Sequence, residues 1–273
     1  LLGRGSMGAV FRVRHLRLGT PRALKIILPR VAMSIENQRR FLREARGQAR
    51  LNHPNVVQVY DLFELTPGVF GLLMEFVPGE SAAALLNRWC PLPPELVVAL
   101  GDQALTALAY SHRLGVVHRD IKDENLLLTP RPDGGMTLKL ADFGLARDLA
   151  ESGASDLTQS GMVAGTPPYM APEQVLDFHG APPAVALYAL AATLYRLLCG
   201  DYPRDYPPGV HWMIVNLEHP VVALRHRNPA VPERLAQVLE RALARDPAAR
   251  IGIAIVLQFL TFGRRSAQPA TLH

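Results

Sequence analysis

The chain has 273 residues, 49% of them hydrophobic and 19% charged, with a formal net charge of +5. That length suffices for one large domain or two small lobes around buried cores, and the apolar fraction excludes disorder, as the lack of any short period excludes a collagen-like chain. The excess positive charge shows no basic run and little aromatic interleaving, so it reads as a solvated mixed surface with no nucleic-acid partner expected.

The first 77 residues read as strands with one helix. Ala9 to Val13 and Arg22 to Leu28 have strand character around the turn signal Gly19-Thr20-Pro21. Ser34 to Leu51 carries Phe41, Leu42, Ala45 and Ala49 at helical spacing, with Ser34 placed to cap the N-terminus. Val56 to Phe63 and Val69 to Phe76 form a strand pair bent at Thr66-Pro67-Gly68. Helices dominate from Val77 onward. Pro94 opens one that reaches about Arg113. Ala184 to Leu198 is apolar nearly all round and should be a central helix, and Leu235, Val238, Leu239, Ala242 and Leu243 form a one-sided stripe on a helix opened by Pro232. Strands first and helices after predict an α+β protein of two lobes.

No apolar run reaches membrane-spanning length, because 184–195 stops at Arg196 and 251–262 contains Gln258. No membrane contact by this segment is expected. No signal peptide is visible, and a start at Leu1 rather than Met suggests a piece of a longer protein. Cys90 and Cys199 are too few for a disulfide framework and are expected to be buried, reduced thiols of a cytoplasmic protein. Of the 29 basic residues only Lys25, Lys122 and Lys139 are lysines, against 26 arginines. A lysine kept in such a chain points to a position that needs a compact ammonium.

Gly3-Arg4-Gly5-Ser6-Met7-Gly8 is a glycine-rich loop at a strand turn, where backbone can approach a phosphate closely or simply close a hairpin. A dinucleotide-binding loop shares this spacing but requires a helix after the last glycine, and here a strand follows. Lys25 lies inside the apolar stretch Ala23 to Ile27 and must meet an anion or a carboxylate unless it snorkels to solvent; Glu44 on the next helix is the natural partner. His118-Arg119-Asp120-Ile121-Lys122-Asp123-Glu124-Asn125 is a charged cluster between apolar runs. After it come Asp142-Phe143-Gly144 and then Gly165-Thr166-Pro167-Pro168-Tyr169-Met170-Ala171-Pro172-Glu173. One such tripeptide arises by chance, whereas several in fixed order do not.

These segments, in this order, resemble the signature set of protein kinases, and their wording is most similar to bacterial serine/threonine kinases of the Hanks type, from Leu1 to about Phe262. The resemblance implies a bilobal fold: a β-rich N-lobe with one helix over 1–77, its first strand cut short, a mainly helical C-lobe over 78–263, and a tail or linker over 264–273. It implies ATP and Mg²⁺ as cofactors and protein substrates as partners. Gly3, Gly5 and Gly8 would cover the phosphates, and Lys25, held by Glu44, would contact the α- and β-phosphates. Asp142 and Asn125 would hold Mg²⁺, as hard oxygen donors suit that ion. Asp120 would accept the substrate hydroxyl's proton, and Lys122 would offset charge on the γ-phosphoryl group and favour Ser/Thr substrates. The adenine would lie between Val10 and Ala23 above and Leu127 below, with Met74 behind and backbone groups of Glu75 and Val77 as its partners.

Regulation follows from the same resemblance. Arg119 would pair with a phosphorylated activation segment, in which Thr158, Ser160 and Thr166 are the regulatory hydroxyls. Autophosphorylation in trans would then call for self-association, and the resemblance is to bacterial kinases many of which carry a membrane anchor outside the segment that matches this one. Arg250, in Asp246-Pro247-Ala248-Ala249-Arg250, would pair with Glu173.

The chain departs from the family at several places. Ala186 stands where an Asp bonds the catalytic-loop backbone, Ala191 where a Gly is usual, Gln48 where an apolar residue stacks onto Phe143 and His118, and Arg204 where Phe is common. Loss of the Asp would leave a buried amide unsatisfied at about 1–3 kcal/mol. Asp123 replaces a frequent Pro, a change expected to be benign. These departures keep two alternatives open: a pseudokinase-like nucleotide-binding scaffold, and a small-molecule kinase of related fold. The nine His show no zinc-ligand spacing.

Overall fold

The computed structural model describes residues 1–5, 8–27, 35–143, 167–178 and 180–252, with 35–40 described by their backbone alone. Thus Ser34, Leu28, Gly144, the three regulatory hydroxyls and the tail lie outside the described residues.

The N-terminal part is a five-stranded antiparallel sheet backed by one helix. Strands β1 (Gly3–Gly5), β2 (Gly8–Arg14), β3 (Pro21–Ile27), β4 (Val59–Thr66) and β5 (Val69–Glu75) lie in the order β1-β2-β3-β5-β4. Helix α1 (Ile35–Ala49) turns Phe41 and Ala45 onto the sheet residues Ile27, Val59, Phe70 and Leu72, and the Phe41 and Phe70 rings meet at 5.0 Å. The β1–β2 hairpin pairs Gly5 with Gly8. Gly8 has φ 151°, and a Cβ there would fall 1.8 Å from the Ile26 carbonyl oxygen, so strand packing alone demands glycine. A Cβ at Gly3 would meet nothing within 4 Å.

The rest of the chain is mainly helical, with a small sheet facing the first part. Strands β6 (Glu80–Ser81), β7 (Leu126–Pro130) and β8 (Met136–Leu140) form that sheet. Ser81 caps helix α2 (Ala82–Arg88) by accepting from the Ala84 N–H at 3.2 Å. Helix α3 (Pro94–Arg113) begins at the proline, whose missing N–H costs nothing at a first helical position. Beyond it come α4 (Pro172–Leu176), α5 (Ala184–Cys199), α6 (Trp212–Glu218), α7 (Leu224–Arg227) and α8 (Glu233–Ala242). Helix α5 is buried on every side and ends at Gly200, which takes the left-handed conformation (φ 85°) of a C-cap. The architecture is α+β, an antiparallel sheet lobe on a helical lobe.

Two expectations need correction. The strand expected from Val56 starts at Val59 instead. Residues 55–57 bond the other sheet: the Leu140 N–H donates to the Asn55 carbonyl at 2.9 Å, the Val57 N–H donates to the Leu140 carbonyl at 2.9 Å, and the Asn55 Nδ2 donates to the Leu138 carbonyl at 2.7 Å. Their apolar character serves a crossing between lobes. The cysteines are not both buried: Cys90 is exposed and Cys199 half-buried, its thiol donating into the end of α5 at the Tyr195 carbonyl.

Candidate active site

The catalytic loop is held by its own histidine. His118 is fully buried, with Nδ1 accepting from the Asp120 N–H (3.3 Å) and Nε2 facing the Ala141 carbonyl at 3.0 Å. Since a carbonyl only accepts, Nε2 carries the proton and the ring is neutral. One imidazole therefore fixes Asp120 relative to the strand end that delivers Asp142, and its ring lies 4.3 Å from that of Phe143. Asn125 closes the loop, donating from Nδ2 to the Asp120 carbonyl at 2.7 Å and to Asp120 Oδ2 at 3.3 Å. Gln174, almost fully buried, donates from Nε2 to the Arg119 carbonyl at 2.9 Å.

Each of the three lysines rests on a carboxylate. Lys25 Nζ lies 2.7 Å from Asp142 Oδ1, Lys122 Nζ 3.7 Å from Asp120 Oδ2, and Lys139 Nζ 3.0 Å from Glu75 Oε2. The first of these pairs bridges the two lobes. Asp142 has φ 57°, the left-handed region that Asp tolerates better than most side chains, and this local cost is offset by the ion pair it permits. Burial alone would raise the Asp142 carboxyl, but the charge and hydrogen bond of Lys25 outweigh it and hold the group below the usual carboxylate range.

The expected Lys25–Glu44 pair is absent. Glu44 Oε1 instead accepts from Arg119 Nη1 at 3.2 Å. With Lys25 on Asp142 and Arg119 on Glu44, each carboxylate has its own cation, whereas a Lys25–Glu44 pair would take the lysine from Asp142. Arg119, expected to await a phosphate, is engaged with a carboxylate here.

Behind these charges lies an apolar pocket wall. Ala23, Val57, Met74 and Ala141 form one buried cluster, with Val10, Val77 and Leu127 packed against it. The structure brings together the four side chains proposed for the adenine site, Val10, Ala23, Met74 and Leu127, with Val77, proposed for its backbone, beside them, and adds Val57 and Ala141, which sequence reasoning missed. Lys139 was missed as well, although the scarcity of lysine was a signal that could have found it. The Glu75 N–H donates to the Gln58 carbonyl at 2.8 Å.

Below the catalytic loop, Arg250 forms a bidentate pair with Glu173, Nη2 to Oε2 at 2.7 Å and Nη1 to Oε1. Arg204 is buried, contrary to the expectation of lost packing: it donates to the Tyr188 hydroxyl and, through Nε, to the His219 carbonyl at 2.9 Å. The Arg250 guanidinium lies 4.9 Å from the Tyr188 ring on the same cluster. Asp123, expected to be benign, is 1% exposed and paired on both oxygens, Oδ1 with the Tyr169 hydroxyl at 2.7 Å and Oδ2 with Arg196 Nε at 3.2 Å.

A lysine from the sheet lobe, two aspartates from loops of the helical lobe and a buried apolar cluster drawn from both lobes are thus brought together. The protein kinase domain family matches residues 1–260. The chain belongs to the protein kinase family. The serine/threonine-protein kinase pkn3 of Myxococcus xanthus is 36% identical over 258 residues, covering 92% of this chain and 46% of that protein. The serine/threonine-protein kinase PknL of Mycobacterium tuberculosis is 36% identical over 256 residues, covering 94% of this chain and 62% of that protein. The kinase domain thus spans less than two thirds of either relative. The crystal structure of the Mycobacterium tuberculosis PknI kinase domain matches with a TM-score of 0.73 and 30% identity, covering 96% of this chain and 93% of that one. The bacterial serine/threonine type implied by the catalytic-loop wording is the type of these relatives. Among the described residues no helix is long and apolar enough to cross a membrane.

Proposed function

We propose that the parent protein transfers the γ-phosphate of ATP to serine and threonine hydroxyls of protein substrates, with residues 1–77 and 78–263 as the two lobes that close on the nucleotide. The observation that carries this reading is the Lys25–Asp142 contact at 2.7 Å across the lobes, tied through His118 to Asp120. Phosphoryl transfer needs positioning and charge neutralisation more than covalent chemistry, and this cleft supplies both.

The residues divide the work. Val10, Ala23, Val57, Met74, Leu127 and Ala141 offer adenine a dry sandwich, and backbone groups of Glu75 and Val77 give it an edge to bond. Lys25 would contact the α- and β-phosphates under the hairpin of Gly3, Gly5 and Gly8. Asp142 and Asn125 suit Mg²⁺: the Asn125 Nδ2 is turned onto Asp120, which leaves its amide oxygen as a hard donor, and Asp142 follows Ala141, whose N–H donates to the Asn125 backbone carbonyl at 2.9 Å. Bound there, Mg²⁺ would neutralise phosphate charge. Asp120 orients the incoming hydroxyl and accepts its proton at a carboxylate oxygen, and Lys122 stands beside it to offset charge on the transferred group. Self-association for autophosphorylation at Thr158, Ser160 or both, and action in the cytoplasm where ATP is available, complete the reading.

No catalytic side chain is missing and the relatives are named as kinases, which favours the enzyme over a pseudokinase-like scaffold. Radiolabelled γ-phosphate transfer tests this. Asp120→Asn should lower the rate about 10²- to 10⁴-fold, the usual contribution of a positioned general base. Equal incorporation by both proteins would overturn the assignment.

A further inference from the structure

The catalytic loop of this chain has lost one family anchor and acquired another buried charge. Ala186 is fully buried within α5 and offers the loop no acceptor. Asp123 lies on the short turn Asp123–Asn125, in a place where exposure would cost nothing, yet it is buried. A carboxylate withdrawn from water is tolerated only when both oxygens are matched by donors or cations, because desolvation costs several kcal/mol. We propose that Asp123 is a positioning residue for phosphoryl transfer: it fastens the catalytic loop at once to the segment Pro167–Tyr169 and to the central helix α5, taking over the anchoring that Ala186 lacks.

Its two oxygens reach two different elements. Tyr169 donates its hydroxyl to Oδ1 at 2.7 Å, and Arg196 of α5 faces Oδ2 at 3.2 Å as an ion pair rather than a directed hydrogen bond. A third contact closes the circle. The Arg196 guanidinium lies 4.3 Å from the Tyr202 ring centroid, and Tyr202 meets the Tyr169 ring edge-on at 5.5 Å and 85°. No member can shift without disturbing the others. Burial and the Asp123 carboxylate push the Tyr169 phenol far above its ordinary range, so it remains a donor at every working pH.

The network reaches the chemistry through two covalent neighbours. Asn125 ends the turn that Asp123 begins, and Asn125 is the side chain that holds Asp120. At the other side, Asn216 of α6 donates from Nδ2 to the Pro167 carbonyl at 2.7 Å and accepts the Tyr206 hydroxyl at 2.5 Å. The segment Pro167–Tyr169 is therefore tied to α6 at one end and to the catalytic loop at the other. This inference rests on the kinase reading above, and the resemblance to protein kinases implies that the stretch from Gly165 to Glu173, which contains this segment, is the platform on which a substrate peptide docks. Asp123 then sets the distance between the docked peptide and Asp120.

The test is a kinetic split in the full chain. Asp123→Pro restores a Pro frequent in the family at the first position of the turn, where the lost backbone N–H has no partner within the turn, and removes the carboxylate, so folding is expected to survive; Tyr169→Phe removes only the hydroxyl. Each should lower kcat about tenfold and raise the peptide KM at least threefold, with the ATP KM within twofold of wild type. The double variant should be no worse than Asp123→Pro, since both break one link. Ala186→Asp in the Asp123→Pro background should recover part of the lost kcat. A kcat and peptide KM within twofold of wild type for Asp123→Pro, or an ATP KM that rises with the peptide KM, would overturn the proposal. Hydrogen exchange needs no activity and separates this idea from the kinase reading: in Asp123→Pro, peptides covering 117–128 and 167–176 should both exchange at least tenfold faster, and acceleration confined to the first would also overturn it.

Discussion

The charged pairs of the cleft and those of the base beneath it differ in one physical respect. In the cleft, Lys25–Asp142, Arg119–Glu44, Lys122–Asp120 and Lys139–Glu75 all keep some contact with water, with side-chain exposures of 14–34%. At the base each pair has one member withdrawn from water, Asp123 at 1% and Arg250 at 2%, while Arg196 and Glu173 keep 21% and 18%. A pair with both members half-solvated can exchange partners cheaply, because water screens the intermediate; a pair with one fully buried member cannot, because leaving that charge unpaired is prohibitive. In the proposed reaction the cleft would trade carboxylates for phosphates in each cycle, whereas the base would hold the docked peptide still. The pairing seen in the cleft, with Lys25 on Asp142 and Glu44 on Arg119, is one arrangement among several that these four groups permit.

The strongest way to break this contrast is at the base. Glu173→Ala leaves the Arg250 guanidinium buried without its carboxylate and should cost about 3–5 kcal/mol of stability. Denaturant unfolding of the two proteins measures it directly. A loss below 1 kcal/mol would mean that the base pairs are as replaceable as surface ones. Tyr188 and Arg204 bear on the same point: an arginine in an apolar place is accommodated because a phenol and a carbonyl receive its hydrogens.

In the cleft the same operation should cost less and depend on pH. The Asp142 carboxyl is held below its ordinary range by Lys25, so the pair's stabilisation is complete above the unfolded carboxyl value of about 4 and fades as pH falls through the lower folded value. In Lys25→Met the largest lowering influence is gone, burial is opposed only by weaker charges such as Lys122, and the Asp142 carboxyl moves upward. The gap between the two proteins should be about 1–2 kcal/mol at pH 7, allowing for solvent screening, and should shrink progressively as pH falls below about 4. A gap that stays constant down to the acid limit of folding would show that Lys25 contributes by packing rather than by charge.

Much of this molecule is legible in its sequence, and the boundary has a physical cause. Residue type and order are enough for the family and the two-lobed α+β fold, for the start of α3 at Pro94, for the all-round apolar helix α5 and for the Glu173–Arg250 pair. Partnership is not readable in the same way. Four charges converge on one cleft, and nothing local says whether Lys25 takes Glu44 or Asp142. Asp123 sits in a charged loop and reads as solvated; its burial depends on Tyr169, 46 residues later, and on a helix further still. Val56 and Val57 look like the start of β4 because an apolar pair does not reveal which sheet it bonds.

Gln48 shows a smaller effect of the opposite sign. It is buried on α1 with Oε1 lacking any hydrogen-bond partner, so that polarity is enclosed there without return. Gln48→Leu keeps nearly the same volume and removes the stranded oxygen, so it should stabilise the fold by about 1 kcal/mol. Thermal unfolding would show it, and a destabilised variant would mean that the amide nitrogen's surroundings outweigh the orphaned oxygen.

The smallest effect on stability, and the sharpest test of the division between exchangeable and fixed pairs, lies at Lys139. Its ammonium joins β8 of the helical lobe to Glu75 at the end of β5, and both partners are a fifth to a quarter exposed. Removing it as Lys139→Met should cost under about 1 kcal/mol, the range of solvent-exposed pairs. The Glu75 backbone borders the proposed adenine edge, so the loss should raise the ATP KM two- to threefold with kcat unchanged, the mark of an interaction felt equally in ground and transition states. A change in kcat larger than that in KM would place this pair with the fixed ones, because the strut would then be steering Asp142, which follows β8 by two residues, rather than merely steadying the hinge.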